Sequence, residues 1–374
     1  MRIAFIGQKG IPAQSGGVER HVEFLAKEIL AYGHEVLAYS RKGYNEVKIS
    51  SFKGIQIKEV PFINSKNFAS ITQNFFASVD VIFRRADVIH YHGVGPSLLL
   101  WIPKIFSPRS RLVATLHSFD YDNEKWGTFA RMMLRAGERI MFALADDIIV
   151  LTPAMREYAH KKYGRNASLI PNGTEIDAVE GSDILLPWGL RPKGYIFSAS
   201  RLIKLKGIQY LIEAFRHIDT DLNLVIAGDG EYEEELRNLA QGDKRIIFVG
   251  KQSGNALRQL YANSLIFVQS SEMEGLSLSL LEAMGSACMC IASDIPGNRE
   301  ALADCGYYFQ SQDARELEEK IRLALSDSEK AAEMAKAAYD RAAQNFNWEY
   351  VASSMNEVYA AGESRNVLLN HQED

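Results

Sequence analysis

The stretch from Ser271 to Met284, SEMEGLSLSLLEAM, holds two carboxylates in the pattern Glu-x7-Glu, Glu274 and Glu282. Its pattern predicts a loop at Glu274-Gly275 and a helix opening near Leu276 and Ser277, with Glu282 about one and a half turns inside it. The unbonded N–H groups of a first helical turn, with the positive end of the helix dipole, can hold a diphosphate. Glu282 would then accept from ribose hydroxyls, and Glu274 would face the group on the far phosphate. Upstream, Arg201-Leu-Ile-Lys-Leu-Lys206-Gly207 follows a strand-like run, Tyr195 to Ala199, and precedes a helical pattern, Gly207 to Phe215. Arg201 and Lys206, at a strand-to-helix turn, stand where open α/β sheets bind ligands, outside the carboxyl ends of the strands. Together the two stretches have the chemistry for a sugar nucleotide.

Other polar residues stand at the ends of predicted strands. Ser15-Gly16-Gly17 closes a loop from Gln8, and its glycines let backbone approach a ligand. The spacing Gly7-x-x-Gly10 followed by Gly16-Gly17 is not a dinucleotide fingerprint, and no acid stands where a nicotinamide cofactor's ribose would need one. This disfavours a dehydrogenase. His90-Tyr91-His92-Gly93 closes one strand, and His117 closes the next, before Ser118-Phe119-Asp120.

Arg-x4-Lys-Gly followed by Glu-x7-Glu, with the amino-terminal Gly-Gly loop, resembles the retaining glycosyltransferases of family 4, which have the two-domain GT-B fold. The resemblance runs from RIAFIGQKGIPAQSGGVERHV to FNWEYVASSMNEVY. It implies that Arg201, Lys206, Gly275, Leu276, Ser277 and Glu282 bind a nucleoside diphosphate sugar. By the same resemblance Gly16 and Gly17 would lie across an interdomain cleft from its phosphates, and Glu274 and His117 would contact the transferred sugar. His92 and Asp120 are candidates on the acceptor side. Retention of anomeric configuration is implied too, with neither metal nor cofactor. The family commonly has Phe-Gly after Glu-Gly, whereas this chain has Leu276-Ser277, which leaves the donor sugar open. KGIPAQSGGVE is similar to the start of bacterial enzymes that build surface polysaccharides, rhamnosyltransferases among them. Acceptors in that family are often saccharides linked to a polyprenyl diphosphate. Two other functions are compatible with the fold. One is a sugar-nucleotide epimerase or hydrolase, which needs a general base that the sequence does not display; the other is a non-catalytic subunit that binds sugar nucleotides.

The elements that must position these residues alternate between strand and helix. Strands are expected at Arg2 to Gly7, Glu35 to Ser40, Ile55 to Val60, Asp87 to His90, Arg111 to Leu116 and Asp147 to Leu151. Helices are expected at Val18 to Tyr32, Ser70 to Arg84, Ser97 to Phe106 and Trp126 to Ala145, with another starting at Thr152-Pro153. After a turn-rich segment the alternation restarts, with strands at Tyr195 to Ala199, Asn223 to Ala227, Ile246 to Val249, Leu265 to Val268 and Met289 to Ala292. Alternation of this kind predicts doubly wound parallel sheets. The expected domains are residues 1–173 and 193–347, joined by a linker at 174–192. A last helix at 348–362, stopped by Gly362 and with Trp348, Val351 and Met355 buried, is expected to return to the first domain, and the tail beyond it to fray.

Bulk properties exclude several classes. With 47% apolar and 24% charged residues the chain has the composition of a globular protein. A formal net charge of −5 argues against a dedicated nucleic-acid binder. The amino terminus turns polar too early for a signal peptide. Cys288, Cys290 and Cys305 offer no disulfide framework, and the first two alternate along a buried strand. These features point to the cytosol. Arg131, Arg135 and Arg139 form a stripe on a helix that also carries Phe129, Met132, Met133 and Ile140, and Trp101, Ile102, Lys104 and Phe106 mix bulky apolar with basic groups. Such a surface is expected to touch anionic lipid at the inner face of a membrane.

Overall fold

The computed structural model describes residues 1–14, 16–65, 68–119, 127–176 and 179–370, the last nine of these by their backbone alone. The chain forms two compact units, one of Met1–Asn172 with the segment from Trp348 onward, the other of Gly173–Asn347.

The first unit is built on eight strands: β1 (Arg2–Ile6), β2 (Glu35–Arg41), β3 (Ser51–Phe52), β4 (Ile55–Val60), β5 (Val88–His92), β6 (Arg111–Leu116), β7 (Asp147–Val150) and β8 (Ser168–Leu169). They lie in the order β3-β4-β2-β1-β5-β6-β7-β8, all parallel except the short β3 hairpin strand. β1 and β5 are continuous buried runs, as expected of central strands covered on both faces. The order reverses at β1, so right-handed crossovers put helix Gly17–Leu30 on one face. Helices Ala69–Ile82, Trp101–Phe106 and Thr128–Leu144 lie on the other and pack side by side.

Two expectations change here. The single helix expected over Ser97 to Phe106 is two short ones, Val94–Ser97 and Trp101–Phe106. Pro103 has no N–H to give Leu99, and the chain between them tightens into turns in which Leu98, Leu99 and Leu100 bond back three residues. The last helix runs Trp348–Asn370 and passes through Gly362. A helical glycine costs about 1 kcal/mol against alanine and does not by itself end a helix among good helix formers. This helix buries Trp348, Val351, Met355 and Tyr359, with Trp348 stacked on Phe24 at a centroid distance of 5.3 Å.

The second unit holds six parallel strands: β9 (Tyr195–Ala199), β10 (Asn223–Ala227), β11 (Ile246–Gly250), β12 (Ile266–Gln269), β13 (Met289–Ser293) and β14 (Tyr307–Phe309). Their order is β11-β10-β9-β12-β13-β14. Helix Ile208–Arg216 buries Ile208, Leu211, Ile212 and Phe215, a stripe at helical spacing packed on β9 and β10 neighbours such as Ile196 and Ile226. The segment read as a linker contains a 3-10 helix, Asp183–Trp188, whose Ile184 N–H donates to Gln259 Oε1 at 3.2 Å. Thr174 bridges Asn347, so the two ends of this unit run side by side. Both units are Rossmann-like, doubly wound parallel sheets, as expected.

Candidate active site

In the second unit the sheet order reverses between β9 and β12, and open α/β sheets bind ligands beyond the strand ends at such a point. The loop after β9 carries exposed Arg201, then a 3-10 turn, Lys204–Lys206, then Gly207 at φ +67°. A Cβ on Gly207 would lie 2.0 Å from the Ser270 carbonyl oxygen, so glycine is required for the β9 and β12 loops to touch. Ser270 Oγ donates to the Lys206 carbonyl at 3.0 Å, and the Glu272 N–H donates to Leu205 O at 2.9 Å. This contact brings Lys206 Nζ into an ion pair with Glu274 Oε1. The same oxygen accepts from Ser271 Oγ at 2.7 Å and Gln269 Nε2 at 2.9 Å. Lys206 and Glu274, 68 positions apart, are thus one unit of charge structure.

The backbone after Glu274 is placed by a third element. Gly297, in helix Pro296–Leu302, would put a Cβ 2.1 Å from Gly275 O and 2.8 Å from Glu274 O, so its bare backbone is what lets that helix lie against the loop. Leu276 and Ser277 are buried, and the helix begins one residue later than expected, at Leu278. Ser277 is its N-cap, with Oγ accepting from the Leu280 N–H at 3.4 Å. The hydroxyl that replaces the family's glycine is therefore turned onto the helix's own backbone. Glu282 is half-buried in this helix, which ends at Gly285.

In the first unit the reversal lies between β1 and β5. Gly7, at φ +129°, would place a Cβ 2.5 Å from His92 O, so the loop after β1 crosses the end of β5 at backbone distance. Two carboxylates of helix Gly17–Leu30 reach back to hold that loop: Glu19 Oε1 accepts from Lys9 N–H at 3.0 Å and Glu23 Oε2 from Ala13 N–H at 2.6 Å. Gly16 is the helix N-cap at φ +98°, and a Cβ there would meet Glu19 Oε2 at 2.1 Å. Gly17 is the first residue of the helix.

His92 ends β5, and His117 follows β6 next to it. Their rings meet Nδ1 to Nε2 at 3.1 Å. His21, from helix Gly17–Leu30, stands edge-on to His117 at a centroid distance of 4.9 Å, and His90 lies 4.1 Å from His92. His90 is bonded on both nitrogens, to Tyr359 Oη and Thr115 Oγ1, each at 2.7 Å. Burial pushes His21 down to about 4, against an opposing bond with Asn172. Burial, and then the neighbouring imidazoles, hold His90, His92 and His117 well below the usual histidine range. The cluster is neutral at pH 7. Only His117 is partly accessible among the four. His21, His92 and His117 bring one nitrogen each within 4.8 Å of one another. Nitrogens on one tetrahedral zinc ion lie roughly 3.3 Å apart, so the rings would have to close up to hold one. Asp120 lies outside the described residues.

The structure therefore groups Gly16, Gly17, His92 and His117 in the first unit, and Arg201, Lys206, Glu274, Gly275, Leu276, Ser277 and Glu282 in the second. Sequence reasoning missed His21, Glu19, Glu23, Gln269, Ser271 and Gly297. Only His21 left a signal, as a polar residue four before Leu25 on the apolar stripe of its helix.

Two family models match the chain: Glycosyltransferase Family 4 over residues 15–178 and Glycosyl transferases group 1 over residues 189–341. The phosphatidyl-myo-inositol mannosyltransferase of Mycobacterium leprae is 25% identical over 359 residues, covering 92% of each chain. The N-acetyl-alpha-D-glucosaminyl L-malate synthase of Bacillus anthracis is 22% identical over 362 residues, covering 90% of this chain and 91% of its own. Among solved structures, sucrose-phosphate synthase from Thermosynechococcus elongatus superposes with a TM-score of 0.82 at 22% identity, over 97% of this chain and 99% of its own. Anabaena HepE in complex with UDP-glucose superposes at 0.80 and 21% identity, over 96% of this chain and all of its own. With the two sheets, their order and the motifs in place, the chain belongs to glycosyltransferase family 4, with the GT-B fold.

Proposed function

We propose that this glycosyltransferase takes its sugar from a nucleoside diphosphate sugar and passes it, with retention and without a metal or other cofactor, to a saccharide or lipid-linked saccharide acceptor in bacterial surface polysaccharide synthesis. The observation that carries the reading is the contact of the β9 and β12 loops, where Lys206 pairs with Glu274 three residues before the N-cap of helix Leu278–Gly285 and the β9 loop also carries exposed Arg201. In this reading the diphosphate lies on the cations and the helix N-terminus, and Glu282 takes the ribose hydroxyls. As the bond from anomeric carbon to phosphate oxygen breaks, the negative charge that develops on the diphosphate is stabilised by these groups. The acceptor oxygen bonds to the same face of the anomeric carbon, and its proton passes to the departing phosphate oxygen. Glu274 and His117 position the sugar hydroxyls.

Calorimetric titration with UDP, GDP, ADP and dTDP, repeated on Arg201→Ala, tests the donor site. One diphosphate is expected to bind the intact protein and to be weakened in the variant. If none binds, the donor reading has no physical basis. With the matching sugar conjugate, slow hydrolysis accelerated by acceptor, undiminished by a chelator, distinguishes a transferase from an epimerase, a hydrolase or a binding subunit.

A further inference from the structure

Helix Ala69–Ile82 carries its side chains the reverse of the usual way. Its buried residues are Gln73, Asn74, Ala77, Ser78 and Val81. Gln73 donates to Gln8 O at 2.9 Å and accepts from Arg41 Nε at 3.0 Å, and Ser78 bonds Tyr91 Oη at 2.7 Å. The large apolar residues point out: Phe75 and Phe76 are 43% and 39% exposed, and Phe68 and Phe83, at the two ends, 53% and 79%. A helix that only covers a sheet puts its apolar stripe inward. Here Gln73, Asn74 and Ser78 share the inward face with Ala77 and Val81, and the aromatic side chains stand outward.

The exposed apolar surface continues onto neighbouring helices. Helix Trp101–Phe106 packs between Ala69–Ile82 and Thr128–Leu144. It exposes Trp101, Ile105 and Phe106, and the third helix exposes Phe129 and Met132. Ile102, expected on this surface, is buried, and Ile105 stands there instead. Scattered exposed apolar residues need no explanation, but large ones gathered on three helices packed side by side do. Its charge is one-sided. The only carboxylates on the three helices are Asp80, held by Arg84 and Tyr39, and Glu138, buried and held by Tyr158 and Tyr163. Arg131, Arg135 and Arg139 recur every fourth residue on the exposed side of the third helix. No described helix is long and apolar enough to cross a membrane.

We infer that the face made by helices Ala69–Ile82, Trp101–Phe106 and Thr128–Leu144 seats the protein on a bilayer surface rich in anionic lipid. Its aromatic side chains enter the boundary between headgroup and acyl chain, and its arginines meet the lipid phosphates. This goes beyond the transferase reading and does not depend on it.

The test is co-sedimentation of the full chain with vesicles of phosphatidylcholine alone or mixed with phosphatidylglycerol. The expected result is binding to the mixed vesicles that weakens as salt rises. Phe76→Ser with Phe83→Ser, at exposed positions, should lower partitioning at least tenfold with unchanged circular dichroism, and Arg131→Ser with Arg139→Ser should lower it on the anionic vesicles alone. Absence of binding to mixed vesicles at low salt, or binding undiminished by the phenylalanine substitutions, overturns the inference. So does a lipid-free dimer that the same substitutions dissociate, since a second copy would then cover the face. Nucleoside diphosphate titration of the same variants, whose substitutions lie outside the donor unit, separates a failure here from a failure of the transferase reading.

Discussion

His92 Nδ1 and His117 Nε2 lie 3.1 Å apart, and burial keeps both rings neutral. One proton therefore occupies that contact, so the two neutral imidazoles take the same tautomer, both Nδ1–H or both Nε2–H. Nδ1 is the nitrogen of His117 left for a substrate. His92 thus acts as a positioning residue for His117. His92→Phe should lower kcat by about tenfold, roughly 1.4 kcal/mol of barrier, with a smaller change in KM. Nitrogen NMR shifts of His117 should lose their single-tautomer pattern. An unchanged kcat with an unchanged spectrum would remove His92 from the mechanism.

The histidine cluster makes stability depend on pH. Unfolded, these side chains titrate near about 6.5; folded, His21 titrates at about 4 and the other three well below their ordinary value. Below about 6.5 the unfolded chain binds protons that the folded chain does not, so folding loses stability as pH falls and is unaffected above it. The slope is up to about 1.4 kcal/mol per pH unit for each histidine that stays neutral. Thermal midpoints should drop between about pH 6.5 and about pH 4, and His21→Phe should flatten that drop. A midpoint independent of pH there would contradict a neutral, buried cluster.

The Lys206–Glu274 ion pair joins two loops, and its carboxylate keeps two other donors, Gln269 and Ser271, when the lysine is removed. Lys206→Ala should therefore leave the fold standing. A charge-assisted bond to a phosphate is worth about 1.5–3 kcal/mol, so nucleoside diphosphate affinity should fall by about 10- to 100-fold. Calorimetry on the variant checks this, and Lys206→Arg should recover part of the loss. Equal affinity in all three proteins would place the diphosphate elsewhere.

Ser277 as an N-cap predicts a particular order of stabilities. Ser277→Ala should cost on the order of 0.5–1 kcal/mol, and Ser277→Gly only a few tenths, because glycine still lets water reach the free N–H groups. Denaturant midpoints on both variants give the comparison. A larger cost for glycine than for alanine would show that the hydroxyl's bond to Leu280 is not what the residue contributes.

Gly207 should tolerate no side chain. A Cβ 2.0 Å from Ser270 O at φ +67° must separate the β9 and β12 loops. Gly207→Ala is expected to cost at least about 2 kcal/mol and to weaken diphosphate binding along with it. Wild-type stability in that variant would mean that the loops do not meet as described.

Much of the architecture was legible in the amino-acid order because it is local. Period-2 and unbroken apolar runs mark strands such as Tyr195–Ala199, and helical spacing marks Ile208–Arg216; both depend on neighbours a few residues away. The cations of Arg201–Gly207 and the Glu274 loop were visible for the same reason, since each follows a strand within one short segment. Sequence order alone determined the alternation, the two sheets and the residues at their strand ends. The tertiary structure decided the rest. Strand order put β9 beside β12 and so joined Lys206 to Glu274. It brought His21 to His117 across 96 positions and laid Gly297 against Gly275. It also turned Phe75 and Phe83 outward, while Gln73 and Ser78 found polar partners inside. Such contacts join residues far apart in the chain, and no pattern of a few residues can specify which distant backbone or polar group will meet them.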